Sequence, residues 1–295
     1  MEIRVLKYFL AVVREGNITA AADALHVSQP TLSRQLMELE QELGQTLMIR
    51  GNRHITLTDD GVLFRKRADE IIRLVEKTQS ELSGADKNIS GEIYIGAAET
   101  RGISILADIA KQLLDEGINI RYHIFSGNAF DVTEQLDKGL LDFGLLIGAA
   151  NTQKYNFLRL KSDDKWGLLM RKDSPLASKK EIAIKEIVPL PLITSRQSVH
   201  NNDFSGFLGS DAEKLNVVAT YNLLYNAAVM VERGLGYAVC LDGIINPTGE
   251  SELCFVPFKQ QIDMHMEFIW KRYQVFSKPA ELFLNRIQSL FGIDA

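Results

Sequence analysis

Apolar residues recur along the 295-residue chain with two different periods, and the change divides it near residue 85. The first part is rich in helix formers, and Pro30 is its only proline. Leu32, Leu36, Leu39 and Leu43 follow one another at spacings of four, three and four, which predicts one buried stripe on a helix. Asn17 is suited to cap an earlier helix starting at Ile18, whose TAAADAL run offers small residues where two helices approach closely. His26 and Val27 interrupt the pattern. Ser28 then caps the next helix, Pro30 sits in its first turn, where a missing N–H costs nothing, and Gly44 supplies a left-handed stop. LMIRGNRHITLT (47–58) predicts two short strands around Gly51 and Asn52, a hairpin with Arg50, Arg53 and His54 at its tip. From Thr58, a cap followed by Asp59 and Asp60 in the first turn, a helical pattern runs to about Leu82.

A small, polar segment at 85–91 predicts a hinge, and beyond it the apolar runs become short and β-rich. EIYIGA (92–97), NIRYHIF and DFGLLI (142–147) predict strands, with helical patterns at 104–114 and 130–136 between them. That alternation, with short loops, predicts right-handed crossovers and a parallel sheet. A second set follows: WGLLM (166–170), PLIT (191–194), LNVVAT (215–220), a helix at 223–233, and YAVCL (237–241). The chain ends with EFIW (267–270) and a helix at 279–290. Two α/β sets predict two lobes, lobe I at about 92–162 and 265–295 and lobe II at about 163–264, with ligand chemistry between them at the carboxyl ends of the strands.

Composition narrows the class. With 46% hydrophobic and 24% charged residues, a chain of this length buries a core without disulfides or metals, which excludes disordered, collagen-like and disulfide-scaffold classes. Lys plus Arg number 33 against 38 Asp plus Glu, so the net charge of −5 excludes a surface coated in positive charge and leaves room only for local basic patches. Cys240 and Cys254 form no CxxC pattern, so neither a disulfide framework nor a zinc site is implied. The apolar run from Tyr8 to Val13 is too short for a signal peptide or a membrane span, so the chain is expected in the cytoplasm, without a membrane partner.

The first part carries the strongest chemistry. Two short helices joined by a tight turn, with Gln29, Thr31, Ser33 and Arg34 at the tip of the second, make a helix-turn-helix layout. A helix that enters a major groove about 12 Å wide needs polar tips to meet base edges and an apolar stripe to anchor it. The following hairpin would be a wing, whose arginines reach phosphates or a narrow minor groove. At the strand ends of the second part, Glu99-Thr100-Arg101, Ser126-Gly127-Asn128 and Thr194-Ser195-Arg196 bring hydroxyls and backbone N–H groups to helix N-termini, which favours a carboxylate or other anion.

The stretch AAADALHVSQPTLSRQLMELEQELGQTLMIRGNRHITLTDDG resembles the N-terminal signature of LysR-type transcriptional regulators. The matches are Ala21-Ala22, Leu25, Ser28-Gln29-Pro30, Leu32-Ser33, Leu39-Glu40, Gly44, Leu47, Arg50, Leu57-Thr58 and Gly61; Ile18 and Met48 stand where the family favours Phe. The resemblance implies an α/β multidomain fold: a winged helix-turn-helix domain (1–58), a long linker and dimerisation helix (59–84), the hinge, and a two-lobed periplasmic-binding-protein-like effector domain (92–295). It implies DNA contacts at Ser28, Gln29, Pro30, Thr31, Ser33, Arg34, Arg50 and Arg53. Phe64, Ala68, Ile71, Val75 and Leu82 lie close to a heptad seam, and the resemblance implies that this helix pairs with a second copy, as dimer or tetramer, on an inverted-repeat operator in double-stranded DNA. It further implies an effector cleft at Thr100, Arg101, Ser126, Gly127, Asn128, Ile147, Thr194 and Ser195, and RNA polymerase as a further partner. The arginines and hydroxyls point to a small anionic metabolite; no cofactor and no metal is expected.

Placement of charge then outweighs its sum. Residues 1–84 hold 11 Lys/Arg against 12 Asp/Glu, but Arg34, Arg50, Arg53, Arg65, Lys66 and Arg67 are expected on the DNA side, with Glu38, Glu40 and Glu42 further along the recognition helix. The alternative class is a cytoplasmic two-lobed ligand-binding protein or enzyme without specific DNA binding. Against an enzyme, no nucleophile–base pair or metal cluster emerges around the strand ends. GLGYAV (234–239) lacks the dinucleotide fingerprint, His123 on its strand is structural, His200 is a loop residue that could approach the cleft but is not assigned to it, and both cysteines are read as inert core residues.

Overall fold

The computed structural model describes residues 1–51, 54–83, 90–148, 150–160, 164–196, 208–260, 262 and 265–292. They divide into two compact units, Met1–Ala85 and Asp86–Ala295.

The first unit opens with a helix that the residue pattern did not single out. Helix α1 (Ile3–Glu15) sends Val5, Leu6, Phe9, Ala11 and Val12 into the core, so the short apolar run inside it is one face of an amphipathic helix. Asn17 caps α2 (Ile18–Ala24), its Oδ1 accepting from the N–H of Thr19 (2.7 Å) and Ala20 (3.2 Å). Ala21 and Ala22 bury the small face of α2. The chain reverses with His26 in the left-handed region (φ +54°), and the N–H of Val27 donates to the carbonyl of Ala22 at 3.0 Å. Ser28 caps α3 (Gln29–Leu43), accepting from the N–H of Thr31 at 3.3 Å, with Pro30 in the first turn. Leu32, Leu36 and Leu39 form the buried stripe. Leu43 departs from it at 37% exposure, because the chain turns back at Gly44 (φ +65°) and no further turn covers it.

Strands β1 (Met48–Arg50) and β2 (Ile55–Leu57) pair antiparallel, Met48 opposite Leu57, as the wing. The Glu40 carboxylate accepts from the N–H of both Leu47 (2.7 Å) and Met48 (3.1 Å), tying α3 to the start of the wing. Helix α4 (Asp59–Ser83) starts at Thr58, whose Oγ1 accepts from the N–H of Gly61 at 3.0 Å.

The dimerisation seam expected on α4 needs correction. Ala68 is fully buried in the unit's own core, and Phe64 stands edge-on to Phe9 with ring centroids 4.9 Å apart, so these two hold α4 to α1. Val75 is half-buried, whereas Ile71 and Leu82 are exposed. The apolar stripe facing solvent keeps Ile71 (37% exposed) and Leu82 (76%) of the expected seam and adds Leu63 (57%) and Leu74 (43%). The reason is geometric: a 25-residue helix has room for two apolar faces, and the one nearest α1 is consumed by the core.

The second unit holds two five-stranded sheets. Lobe I has the order β4-β3-β5-β12-β6, from β3 (Ser90–Ala97), β4 (Asn119–Ser126), β5 (Phe143–Ile147), β6 (Tyr155–Leu160) and β12 (Met266–Lys271). Lobe II has the order β11-β7-β10-β8-β9, from β7 (Trp166–Arg171), β8 (Pro191–Ser195), β9 (Asn216–Tyr221), β10 (Tyr237–Leu241) and β11 (Leu253–Pro257). The expectation of parallel sheets holds only in part. β3 runs parallel to β4 and β5, and β8 to β9 and β10, but β12 lies antiparallel between β5 and β6, and β7 antiparallel between β10 and β11. The residue pattern missed β6 and β11, both edge strands; the burial of β6 does not alternate and β11 ends in Pro257. The hinge expected at 85–91 is shortened, because Ser90 and Gly91 already pair with Asn119 and Ile120; residues 85–89 lie outside the described residues.

Helices α5 (Ile103–Asp115) and α8 (Lys278–Leu290) pack on the core of Ile93, Ile95, Phe143, Phe268 and Phe283 in lobe I. Helix α6 (Ala129–Asp137) covers the opposite face with Val132 and Leu136. In lobe II, α7 (Leu224–Glu232) buries Leu224, Ala227, Ala228 and Val231 against Leu169, Ile193 and Ala238.

A Cβ added at Gly61 would lie 2.0 Å from the carbonyl oxygen of Leu47. Gly61→Ala is expected to lower the stability of the first unit by about 1–3 kcal/mol in urea denaturation, by forcing α4 away from the wing.

Candidate functional site

The tip of α3 collects the polar residues expected at a base-reading surface. Ser28, Gln29, Pro30, Thr31 and Arg34 are exposed and Ser33 is half-buried. The Ser28 and Thr31 hydroxyls lie 2.7 Å apart, so the cap and its partner are locally bonded. Arg34 Nε lies 3.4 Å from Glu38 Oε1 one turn on, with both side chains largely exposed. Such a surface pair contributes about 0–1 kcal/mol and leaves the guanidinium available to another partner. Arg50 belongs to β1 and His54 is exposed, whereas Arg53 lies outside the described residues. Of the other basic residues expected on this side, Arg65 is exposed and Arg67 is engaged with Glu70 at 2.8 Å. Glu40 is no bystander on the far side of the helix, because it is bonded to the wing backbone.

The second unit has a cleft between its lobes. Lobe I contributes Ala98 and Glu99 after β3, Gly127 and Asn128 after β4, and Ile147 at the end of β5. Lobe II contributes Ser195 at the end of β8, Tyr221 and Asn222 at the end of β9, Leu224 opening α7, and Leu241 and Ile244 at and beyond the end of β10. Trp166 completes it from the beginning of β7. Of the expected cleft residues, Gly127, Asn128, Ile147 and Ser195 are therefore brought together. Thr100, Arg101, Ser126 and Thr194 are not part of this lining. Thr100 is buried, donating to Asp164 Oδ2 at 2.8 Å and accepting from the N–H of Gly102 at 2.9 Å. Arg101 lies over Gly243, Ser126 is an exposed strand residue, and Thr194 is buried with no partner for its Oγ1 among the described residues. Asn128 caps α6, its Oδ1 accepting from the N–H of Asp131 at 3.0 Å. Arg196 is exposed and outside the lining, and His200 lies outside the described residues.

Residue spacing missed Trp166, Tyr221, Asn222 and Leu241. Three of these sit at carboxyl ends of strands or just beyond, where the general rule for α/β sheets places ligands, and a fuller use of that rule would have found them. Trp166 escapes the rule because β7 is antiparallel, which brings its first residue to the cleft opposite Leu241.

The cleft's polar groups are held neutral or paired. Burial pushes the Tyr221 phenol well above its ordinary value, and its OH donates to the carbonyl of Val239 at 2.7 Å. Glu99 Oε2 accepts from the N–H of Leu224 at 2.8 Å. Among the described residues no group of His, Cys, Asp and Glu is arranged to hold a metal, and no helix is long and apolar enough to cross a membrane. Burial pushes the Cys240 thiol up to about 12. In native protein at pH 8, Cys240 is expected to resist a thiol reagent such as Ellman's and to react only after denaturation. Rapid native labelling at Cys240 would contradict that burial.

Residues 3–62 match the family described as "Bacterial regulatory helix-turn-helix protein, lysR family", and residues 86–292 match "LysR substrate binding domain". The chain is 32% identical over 183 residues to the HTH-type transcriptional regulator CysL of Bacillus subtilis (strain 168), covering 62% of this chain and 61% of CysL. It is 25% identical to YvbU of the same organism over 298 residues, the full length of both. It is also 29% identical over 187 residues to the DNA-binding transcriptional dual regulator OxyR of Escherichia coli (strain K12), covering 63% of this chain and 61% of that one. Its fold is that of the crystal structure of CbnR, a LysR family transcriptional regulator, with a TM-score of 0.77 at 19% identity over 98% of this chain and 99% of that one. With both family domains matched in order, across the reading head and the two-lobed unit, the chain belongs to the LysR family of bacterial helix-turn-helix regulators.

Proposed function

We propose that the chain is a cytoplasmic, ligand-responsive transcription regulator in which residues 1–58 read DNA, α4 pairs with a second copy, and the two-lobed unit takes a small anionic metabolite. The observation that carries the DNA reading is the tip of α3: five exposed polar or proline residues from Ser28 to Arg34 on a helix anchored by Leu32, Leu36 and Leu39 and braced to the wing through Glu40. A helix that is held underneath and polar at its tip meets base edges without first ordering itself, so less binding free energy is lost to entropy. Two such heads on a two-fold dimer match an inverted-repeat operator.

Pairing through α4 is supported by the exposed stripe of Leu63, Ile71, Leu74 and Leu82, an apolar face that a second helix would bury. The anionic effector is supported by the helix starts that line the cleft, Asn128 at α6 and Leu224 at α7, and by the carboxylate that already sits on the Leu224 N–H. Ligand binding acts on DNA binding only through a difference in affinity between two states of the protein, for which the lobes supply the movable part. RNA polymerase would be the further contact through which DNA occupancy changes transcription.

Arg34→Ala is expected to weaken binding to the operator by about 1–3 kcal/mol and to relax base preference at one position in each half-site, read by gel shift on the DNA upstream of the protein's own gene. A wild-type protein that gives no sequence-specific shift, with or without candidate metabolites, would sink the regulator reading. Leu74→Glu is expected to lower the oligomer's mass in sedimentation and to reduce operator affinity through loss of the second head, while Leu36→Ala acts through folding instead.

A further inference from the structure

Of the three consecutive residues after β3, Glu99 and Arg101 reach lobe II, while Thr100 reaches the segment that joins the lobes and also lies 3.1 Å from Met266 Sδ in lobe I. Glu99 Oε2 accepts from the backbone N–H of Leu224 at 2.8 Å, at the start of α7. The residue ahead of that helix, Leu223, supplies no side-chain cap, so the carboxylate arrives from 125 residues away to fill the role. Thr100 Oγ1 donates to Asp164 Oδ2 at 2.8 Å, on the segment that leads into β7. Arg101 lies across Gly243, beyond the end of β10, so closely that a Cβ there would be 2.4 Å from Arg101 Cδ. The space left between the lobes is about 60 Å³.

We infer that Glu99, Thr100 and Arg101 form a clasp that holds the two lobes shut on each other, and that any effector entering the cleft does so by releasing it. The inference rests on reading this cleft as the effector site. Glu99 is the principal member. Its bond is charge-assisted and lies at the positive end of a helix, whereas Thr100 joins a neutral hydroxyl to a carboxylate and Arg101 contributes packing. Glu99 thus occupies the helix end that an incoming anion would seek, so the ligand's charge replaces an internal one. The clasp then sets the affinity threshold: an effector is felt only if it binds the open form strongly enough to offset the bonds that hold the closed one.

The quenching measurement needs neither the effector nor DNA, and a separate gel shift keeps the regulator reading apart from it. Trp166 lines the cleft, and the other tryptophan, Trp270, is buried in the core of lobe I, so acrylamide quenching of the full chain reports chiefly on Trp166. Glu99→Ala is expected to shift the open-to-closed ratio about tenfold toward open and to raise the quenching constant. Glu99→Gln, which keeps an oxygen on the Leu224 N–H but loses the charge, is expected to fall between wild type and Glu99→Ala. If the alanine variant does not fold by circular dichroism, the isosteric glutamine variant carries the test alone. Quenching at the wild-type level in every folded variant, or below it, would overturn the clasp. A folded protein that fails to shift DNA while Glu99→Ala raises quenching would refute the regulator reading and leave the clasp standing.

Discussion

Strand β12 enters lobe I between β5 and β6, and the architecture of the ligand-binding unit depends on that insertion. It pairs with Gly144 to Ile147 on one side and with Tyr155 to Leu160 on the other, antiparallel to both. A strand from near the end of the chain therefore completes the sheet begun at residue 90. The chain must cross between the lobes twice, once before β7 and once before β12. Two crossings join the lobes without fixing their relative orientation, as in two-lobed units whose halves move as hinged bodies. The same arrangement turns β7 antiparallel in lobe II and presents Trp166 at its near end.

The reading head is organised by a different economy. Its four helices are short or solvent-flanked, and α3 would be marginal alone, since most helical stability comes from packing of an apolar face. Three leucines fix its orientation, Asn17 and Ser28 define where α2 and α3 begin, and the carboxylate of Glu40 carries that orientation into the wing. A single acid thus accepts two backbone N–H groups that would otherwise compete for water. The net charge of −5 has little bearing on this. The acids near the recognition surface are committed, Glu38 to Arg34, Glu70 to Arg67 and Glu40 to the wing backbone.

Much of the fold was legible from residue order, for identifiable reasons. The helix-turn-helix was readable because caps, a first-turn proline, the leucine row and a terminal glycine all agreed on the same boundaries. The helices and most strands of the second unit fell within a residue or two of their observed limits, because their apolar periods are strong. β6 and β11 were not legible: each is an edge strand, made a strand by its neighbour more than by its own alternation. The α4 seam was legible only in part, since Ile71 and Leu82 face solvent while Phe64 and Ala68 pack in the unit's own core. Periodicity shows that a face is apolar but not which partner covers it, and Phe64 and Ala68 were already taken by α1.

The amino-acid sequence by itself determined the family, the order of the domains, the helix caps and the residues at the tip of α3, because each rests on local chemistry within a few turns of chain. Only the tertiary structure decided the sheet directions, the identity of the cleft wall and the state of its charges. Glu99 meets Leu224 across 125 residues, Thr100 meets Asp164 across 64, and Trp166 reaches the cleft only because its strand runs backwards. Those pairings are long-range contacts that leave no periodic trace in the residues they join.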